Sequence, residues 1–555
     1  MSPEWWRNAV VYQIYPRSFA DADGDGVGDL PGITGRLPAL VELGVDALWL
    51  SPFYRSPQAD AGYDVADYCD VDPLFGSLAD FDALIGQAHR LGLKVIVDLV
   101  PNHSSDEHPW FQAALAAPAG SPERARYLFR DGVGPGGNEP PNNWPSVFGG
   151  PAWTRTTDAD GSPGQWYLHL FDTKQPDFDW TNPEVRAEFL RVLRFWLDRG
   201  VDGFRVDVAN ALIKADGLPD VTSDAETNMM STILTATSGA GDAIVHSGPT
   251  SPMWDQDGVH EIYRDWRRLL DEYPGDRMMV AEAWVSPLSR LARYVRPDEM
   301  HQAFNFEYLS APWDAAAILA VIDSSIAVND SVGAPTTWVL SNHDVVRHAS
   351  RFGLADLTLR PNGIGATDDQ PDAVLGLRRA RAATLLMLGL PGSAYLYQGE
   401  ELGLPEHTAL DDDLRQDPTW MRSGQLERGR DGCRIPLPWE ADAPGLGFGP
   451  TGRTWLPQPE SYSALARDRQ VGVNGSTLEL YRAALATRRE RDLGNGALRW
   501  VPSAPSVLTF SNGPVTVIAN LGDGPVPLPP GELLLASGEL VDGALPPDTA
   551  AWLVG

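Results

Sequence analysis

Short apolar runs separated by amphipathic stretches recur along most of this 555-residue chain, and that alternation constrains the fold more than any other feature. Apolar runs of this length, bounded by turn residues, read as strands buried on both faces; longer stretches with a 3.6-residue period read as helices laid over them. Strand candidates fall at Val10–Pro16, Ala47–Pro52, Lys94–Pro101, Gly203–Val208, Met278–Val285, Ala303–Phe306, Thr336–Asp344 and Ala394–Gln398. Helical patterns lie between them at Ala79–Leu91, Glu184–Arg199, Val259–Tyr273, Trp313–Ile326 and Ala373–Leu390. Eight strands alternating with helices is the number that a closed parallel barrel requires, so the expected core is a (β/α)8 barrel.

Three regions break the alternation. From His103 to Asp172 the chain is rich in Pro, Gly, Asn and Trp, and an excursion of that length predicts a small domain inserted after the third strand. From Gly494 to Gly555, runs such as Val507–Phe510 and Val515–Asn520 alternate with Gly/Pro turns, which predicts a compact antiparallel β domain, a β-sandwich. The stretch Ala215–Gly258 is polar and small-residue-rich, a long loop after the fourth strand. The expected division is a barrel of residues 1–102 and 173–493, an insertion at 103–172 and a C-terminal domain at 494–555.

Composition removes several function classes. Hydrophobic residues make up 43% and charged residues 21%, the balance of a globular enzyme rather than a disordered chain. The formal net charge of −32 argues against nucleic acid or an anionic membrane as a partner, since both need a basic footprint. Cys69 and Cys433 stand in no metal or redox spacing, so neither a disulfide framework nor a zinc site is expected. The N-terminal residues lack a signal-peptide pattern and no run of about 18 apolar residues occurs, so a cytoplasmic location is expected. Composition does not choose between a monomer and a homodimer.

In such barrels the chemistry sits at the C-terminal ends of the strands. The third candidate strand carries Asp98 and runs on to Asn102-His103; the fourth reads Gly203-Phe-Arg-Val-Asp207; the fifth carries Glu282-Ala-Trp284; the seventh ends in Asn342-His-Asp344. Asp207, Glu282 and Asp344 are thereby aimed at one mouth. Ionisable groups clustered there fit acid–base chemistry. Arg205 and Asp207 are two residues apart on a strand and face the same side, so the guanidinium is placed to hold the carboxylate ionised, as a nucleophile needs. Glu282, followed by apolar Ala283 and Trp284, has a setting that suits a proton donor. Two carboxyls in different protonation states are what retaining glycoside cleavage calls for.

With Asp98-Leu-Val-Pro-Asn-His103, Gln175-Pro-Asp-Phe-Asp-Trp180, Gly203–Asp207, Ala281-Glu-Ala-Trp284, Asn342-His-Asp344 and Gln398-Gly-Glu-Glu-Leu402 in this order, the chain resembles the α-amylase family of glycoside hydrolases, in its oligo-1,6-glucosidase and α-glucosidase branch. The resemblance implies that Asp207 is the nucleophile, Glu282 the acid/base and Asp344 the carboxylate that stabilises the transition state. It implies that His103, Arg205 and His343 contact the sugar beside the nucleophile, that Tyr63 stacks on it and that Phe171 lines the same site. It further implies that Asp64 pairs with Arg434, the last residue of Arg430-Asp-Gly-Cys-Arg434, to bind the terminal glucose and close the site into a pocket. Gly432 and Cys433 depart from the branch's usual Asn-Ala at those positions.

The implied activity is release of single glucose units from short α-glucosides such as maltose, isomaltose or sucrose, through a covalent glucosyl-enzyme. Transfer to a sugar acceptor on the same site is the alternative, and a catalytically inactive scaffold relative a more remote one. Val208, which follows the nucleophile position, tends in this family to accompany α-1,6 cleavage, although one methyl-for-hydroxyl exchange discriminates by only about 1–3 kcal/mol. The loop Asp21-Ala-Asp-Gly-Asp-Gly-Val-Gly-Asp29 begins like an EF-hand, but its twelfth position is Gly32 where a bidentate Glu is needed. It resembles instead this branch's structural calcium or magnesium site, with Asp21, Asp23, Asp25, the Val27 carbonyl and Asp29 as ligands.

Overall fold

The computed structural model describes residues 4–158, 160–222 and 251–555. Eight strands form one parallel sheet: β1 Val10–Ile14, β2 Ala47–Leu50, β3 Lys94–Leu99, β4 Gly203–Val206, β5 Met278–Ala281, β6 Gln302–Ala303, β7 Thr337–Val339 and β8 Ser393–Tyr397. Neighbours pair in the order β6-β5-β4-β3-β2-β1-β8-β7. The seam between the two ends is bridged by the Asn305 amide, which donates to the Thr337 carbonyl at 3.2 Å. The expected (β/α)8 barrel is present.

Helices follow the strands, among the described residues α1 Leu30–Leu43, α2 Leu78–Arg90, α3 Pro183–Asp198, α4 Val259–Leu270, α5 Leu288–Leu291, α6 Ala315–Asp330, α7 Ala373–Leu388 and α8 Thr477–Glu490. Their starts are written in the sequence. Ser77 and Asp80 form a reciprocal capping box at α2, Asn182 caps α3 ahead of Pro183, and Asp372 accepts two amides at α7. The buried stripe of α3, Val185, Phe189, Val192, Leu193 and Trp196, recurs at helical spacing and faces the barrel.

Period-two alternation along the strands decides what points inward. Val11, Ala47, Trp49, Ile96, Val280, Val339 and Tyr395 belong to one buried cluster, while their alternating neighbours Val10, Tyr12, Leu48, Leu50, Val95 and Val97 belong to the cluster shared with the helices. Gln13, Asp98, Arg205, Asp207 and Glu282 continue the inward parity, so the barrel itself aims them at a common axis.

Between β3 and α3 the chain makes a helix, Pro109–Ala116, and a three-stranded antiparallel sheet of Phe129–Arg130, Trp153–Thr157 and Pro163–Leu168. After α8 comes a five-stranded antiparallel sheet running from Leu498 to Val554; Trp552 on its strand Thr549–Val554 donates its indole N–H to the Leu385 carbonyl of α7. A two-stranded sheet, Val526–Pro527 with Ala544–Leu545, accompanies it around a small cluster of Val507, Ile518, Leu545, Ala551 and Leu553. Of the loop expected at 215–258, residues 223–250 lie outside the described residues. Among the described residues no helix is long and apolar enough to cross a membrane.

Candidate active site

Asp207 directly follows β4 and Glu282 directly follows β5, and their amides extend the ladder by bonding Leu99 O and Val206 O at 2.8 and 2.9 Å. Asp98 and Arg205 are register partners on β3 and β4. That register builds the centre: the buried Arg205 guanidinium contacts Asp98 Oδ1 at 2.7 Å, Asp207 Oδ1 at 2.6 Å and Glu282 Oε2 at 2.7 Å. One positive charge meets three carboxyls, so full ionisation would leave two uncompensated negative charges in a buried site. Burial and mutual repulsion therefore oppose the simultaneous ionisation of Asp98 and Asp207. Burial pushes the Asp207 carboxyl well above its ordinary range; Arg205 opposes this, and Glu282 and Asp98 reinforce it. The expected simple ion pair is thus a shared one, which dilutes Arg205's hold on Asp207. Burial likewise pushes Asp98 up to about 7 against the pull of Arg205.

His343 is fixed between Gln13 and Tyr63: Gln13 Nε2 lies 2.7 Å from Nδ1, and Tyr63 Oη lies 2.5 Å from Nε2. Tyr63 Oη in turn lies 3.1 Å from Asp98 Oδ2, which also receives the Trp49 indole at 3.1 Å. Burial drives His343 well below its ordinary range, so the ring is neutral and passes a hydrogen bond rather than a charge. His103 is pushed by burial to about 4 and is neutral as well. Gln175 Nε2 sits 3.1 Å from both His103 Nε2 and Asp60 Oδ2.

Asp344 lies five residues beyond the end of β7, in the following loop rather than on the strand. Burial pushes its carboxyl up, but the positive surroundings, with the His343 ring at 3.3 Å and the guanidiniums of Arg430 and Arg434, outweigh burial and hold it well below the usual carboxylate range. With His343 neutral, the two arginines, 3.0 and 3.2 Å away, supply the charge.

The closing ion pair differs from the expectation. Arg430, not Arg434, reaches across the pocket to Asp60, at 2.7 Å, and is anchored from behind by Asp417 at 2.6 Å. Asp64 is buried and spends both oxygens on the amides of Ala59 and Asp60, at 2.8 and 2.9 Å, which shapes the loop that presents Asp60. Arg434 serves from below, donating Nε to the His343 carbonyl at 2.9 Å. Asp60, Arg430, Gln175 and Gln13 are the residues that sequence reasoning passed over. Spacing gave no means of choosing between two acids four residues apart, or between the two arginines of one short motif.

A cavity of about 820 Å³ opens over this centre, lined by Asp60, Tyr63, His103, Asp207, Glu282 and Asp344, with Phe171, Val208, Trp284 and Arg430 also on its wall. Phe171 packs at 5.1 Å from the His103 ring. Arg205, His343, Asp64 and Arg434 stand behind this lining. The space exceeds one hexose and leaves room for a second group above it. Val208 takes a left-handed backbone (φ 42°), uncommon for a β-branched residue, and this turns its amide onto Glu282 Oε2 at 3.1 Å.

The alpha amylase catalytic-domain profile matches residues 13–496. The chain belongs to the α-amylase family. Within it, the chain is 40% identical over 534 residues to a probable alpha-glucosidase of Rhizobium meliloti (strain 1021), covering 94% of this chain and 90% of that one. An oligo-1,6-glucosidase of Parageobacillus thermoglucosidasius is 34% identical over 525 residues, covering 89% and 85%. Among solved structures, the alpha-glucosyl transfer enzyme XgtA superposes with a TM-score of 0.82 at 37% identity over 100% of both chains. The trehalulose synthase MutB from Pseudomonas mesoacidophila MX-45 superposes equally well, at 0.82 and 28% identity over 100% of both chains.

The acidic loop of this α-amylase-family chain has a donor set that fits a hard cation. Carboxylate oxygens of Asp21, Asp23 and Asp29 converge within 4.8 Å of one another, an all-oxygen set that suits calcium or magnesium. Asp25 lies outside that trio and accepts the Val27 amide at 2.7 Å. The loop is pinned to a distant segment: Asp21 N donates to Phe448 O, Thr451 Oγ1 to Gly24 O and Trp455 N to Gly26 O.

Proposed function

We propose that the protein is a retaining, exo-acting α-glucosidase that releases terminal glucose from short α-glucosides. The observation that carries this reading is the pairing of Asp207 and Glu282 on one guanidinium, beneath a cavity whose wall includes the Asp60–Arg430 ion pair. Asp207 attacks the anomeric carbon while Glu282 protonates the departing oxygen; Glu282 then takes a proton from water, which attacks the glucosyl-enzyme from the same face. Asp344, held ionised, grips hydroxyls and offsets the positive charge that develops on the sugar ring. Asp60 and Arg430 receive the terminal glucose hydroxyls, and their ion pair leaves no passage for a longer chain on that side. His103, Tyr63 and Phe171 complete the wall around that glucose.

Transfer to a sugar acceptor is the second reading, favoured by the space above the glucose position and by likeness to a glucosyl transfer enzyme. We also propose that Asp21, Asp23 and Asp29 hold a structural calcium or magnesium ion, with Asp25 and the Val27 carbonyl completing the set as it closes.

The test is NMR of products from maltose, isomaltose and sucrose supplied in parallel, with Asp207→Asn as control. α-Glucose appearing first, and no turnover by the variant, supports hydrolysis with retention. β-Glucose appearing first, or normal turnover by Asp207→Asn, would overturn it. New oligosaccharides in place of glucose would make transfer the dominant outcome.

A further inference from the structure

We infer that Trp284 is a positioning residue that fixes which oxygen of Glu282 carries the acid proton and where that proton points. The inference rests on the reading of Glu282 as acid/base. Its two oxygens have unlike surroundings. Oε2 faces the protein, with Arg205 Nη2 paired to it at 2.7 Å and the Val208 amide donating at 3.1 Å. Among the described residues, Oε1 receives only the Trp284 indole N–H, at 3.3 Å. An oxygen that faces a guanidinium charge and already accepts a backbone N–H is the poorer place for a further hydrogen, so the acid proton belongs on Oε1. The indole N–H then occupies one side of Oε1, and an O–H directed at it would set hydrogen against hydrogen. The proton is left pointing away from the indole and into the cavity, where the glycosidic oxygen arrives.

The indole is itself held. Its ring lies flat on Phe306, with centroids 3.8 Å apart and planes within 6°, and Trp284 is buried in the cavity wall. Asn210 Nδ2 supports the Trp284 carbonyl at 3.4 Å. The donor to Oε1 is therefore a fixed direction, not a mobile side chain, and such preorganisation spares the carboxyl a reorientation at the moment of transfer. In the step itself, the Oε1–H bond breaks as the proton passes to the glycosidic oxygen, and the electron pair of the C1–O bond leaves with the aglycone. In the second half, Oε1 takes back a proton from the attacking water.

Trp284→Phe removes the N–H while keeping a ring to stack on Phe306. We expect kcat/KM on maltose, whose leaving group needs protonation, to fall roughly tenfold, as loss of one directed hydrogen bond to the acid would give. On an activated aryl α-glucoside, whose phenolate departs unassisted, the fall should stay within about threefold. Phe306→Leu, which frees the indole without removing it, should show the same leaving-group bias at smaller size, and it serves should Trp284→Phe fail to fold. An equal loss on both substrates, or none on maltose, in a folded variant overturns the role of Trp284. Glu282→Gln separates this from the underlying reading: if that variant too loses both substrates equally, the acid/base assignment has failed rather than the positioning.

Discussion

Asp60 and Asp64 stand four residues apart on one loop and do opposite work. Asp60 offers its charge to the cavity through Arg430, whereas Asp64 turns inward and ties the loop's own amides. Asp60→Asn should therefore lower kcat/KM by about thirtyfold, chiefly through KM, with the melting temperature near wild type, since about 2 kcal/mol of charge-assisted binding is removed. Asp64→Asn should do the reverse, setting an amide N–H against a backbone N–H at a cost of about 1–3 kcal/mol in stability, with KM little changed. The opposite pattern in steady-state kinetics and thermal melts would restore Asp64 as the sugar contact. Asp207 and Glu282 were legible because each directly follows a buried strand, where parity fixes direction. The closing pair was not, because what separates Asp60 from Asp64 and Arg430 from Arg434 is the loop conformation.

At the scale of elements, the turn after β8 carries its own pH dependence. Glu400, in the turn Glu400–Leu402, accepts the Tyr397 amide at 3.0 Å and lies 3.4 Å from Tyr481 Oη of α8. Burial pushes its carboxyl up to about 8, with Glu401 adding to the rise and Arg347 opposing it. An unfolded Glu titrates near about 4.3. The folded chain thus binds the extra proton between those values, and stability falls as pH rises across that window. Thermal melts from pH 5 to 9 should show a shallower decline for Glu400→Gln than for wild type; equal slopes would mean that Glu400 is ionised in the fold. Helix α1 shows where element reading stops. Its sequence, Leu30-Pro-Gly-Ile-Thr-Gly-Arg-Leu-Pro-Ala-Leu-Val-Glu-Leu43, carries Gly32, Gly35 and Pro38, which argue locally against a helix. Its buried Leu30, Ile33, Leu37 and Leu40 pack on the barrel, and that tertiary burial overrides propensity.

For the whole molecule, the acidic loop links parts of the chain more than 400 residues apart, because Asp21, Gly24 and Gly26 bond to Phe448, Thr451 and Trp455. A cation bound there would stabilise the folded chain by mass action. Chelation should lower the melting temperature by a few degrees, and added calcium or magnesium should restore it, with activity at low temperature nearly unchanged. A melting temperature indifferent to chelator would leave the loop without a tight ion. The architecture has a longer-term consequence. The bond-breaking carboxyls sit at strand ends locked by barrel register, whereas other parts of the cavity wall come from the connecting segments 145–150, 345–362 and 419–430, loops with two short helices among them. Loops tolerate insertion and exchange far more readily than barrel strands do. Descendants of such a gene can therefore change which partner molecule they accept by redrafting the rim, while the chemistry beneath is inherited untouched.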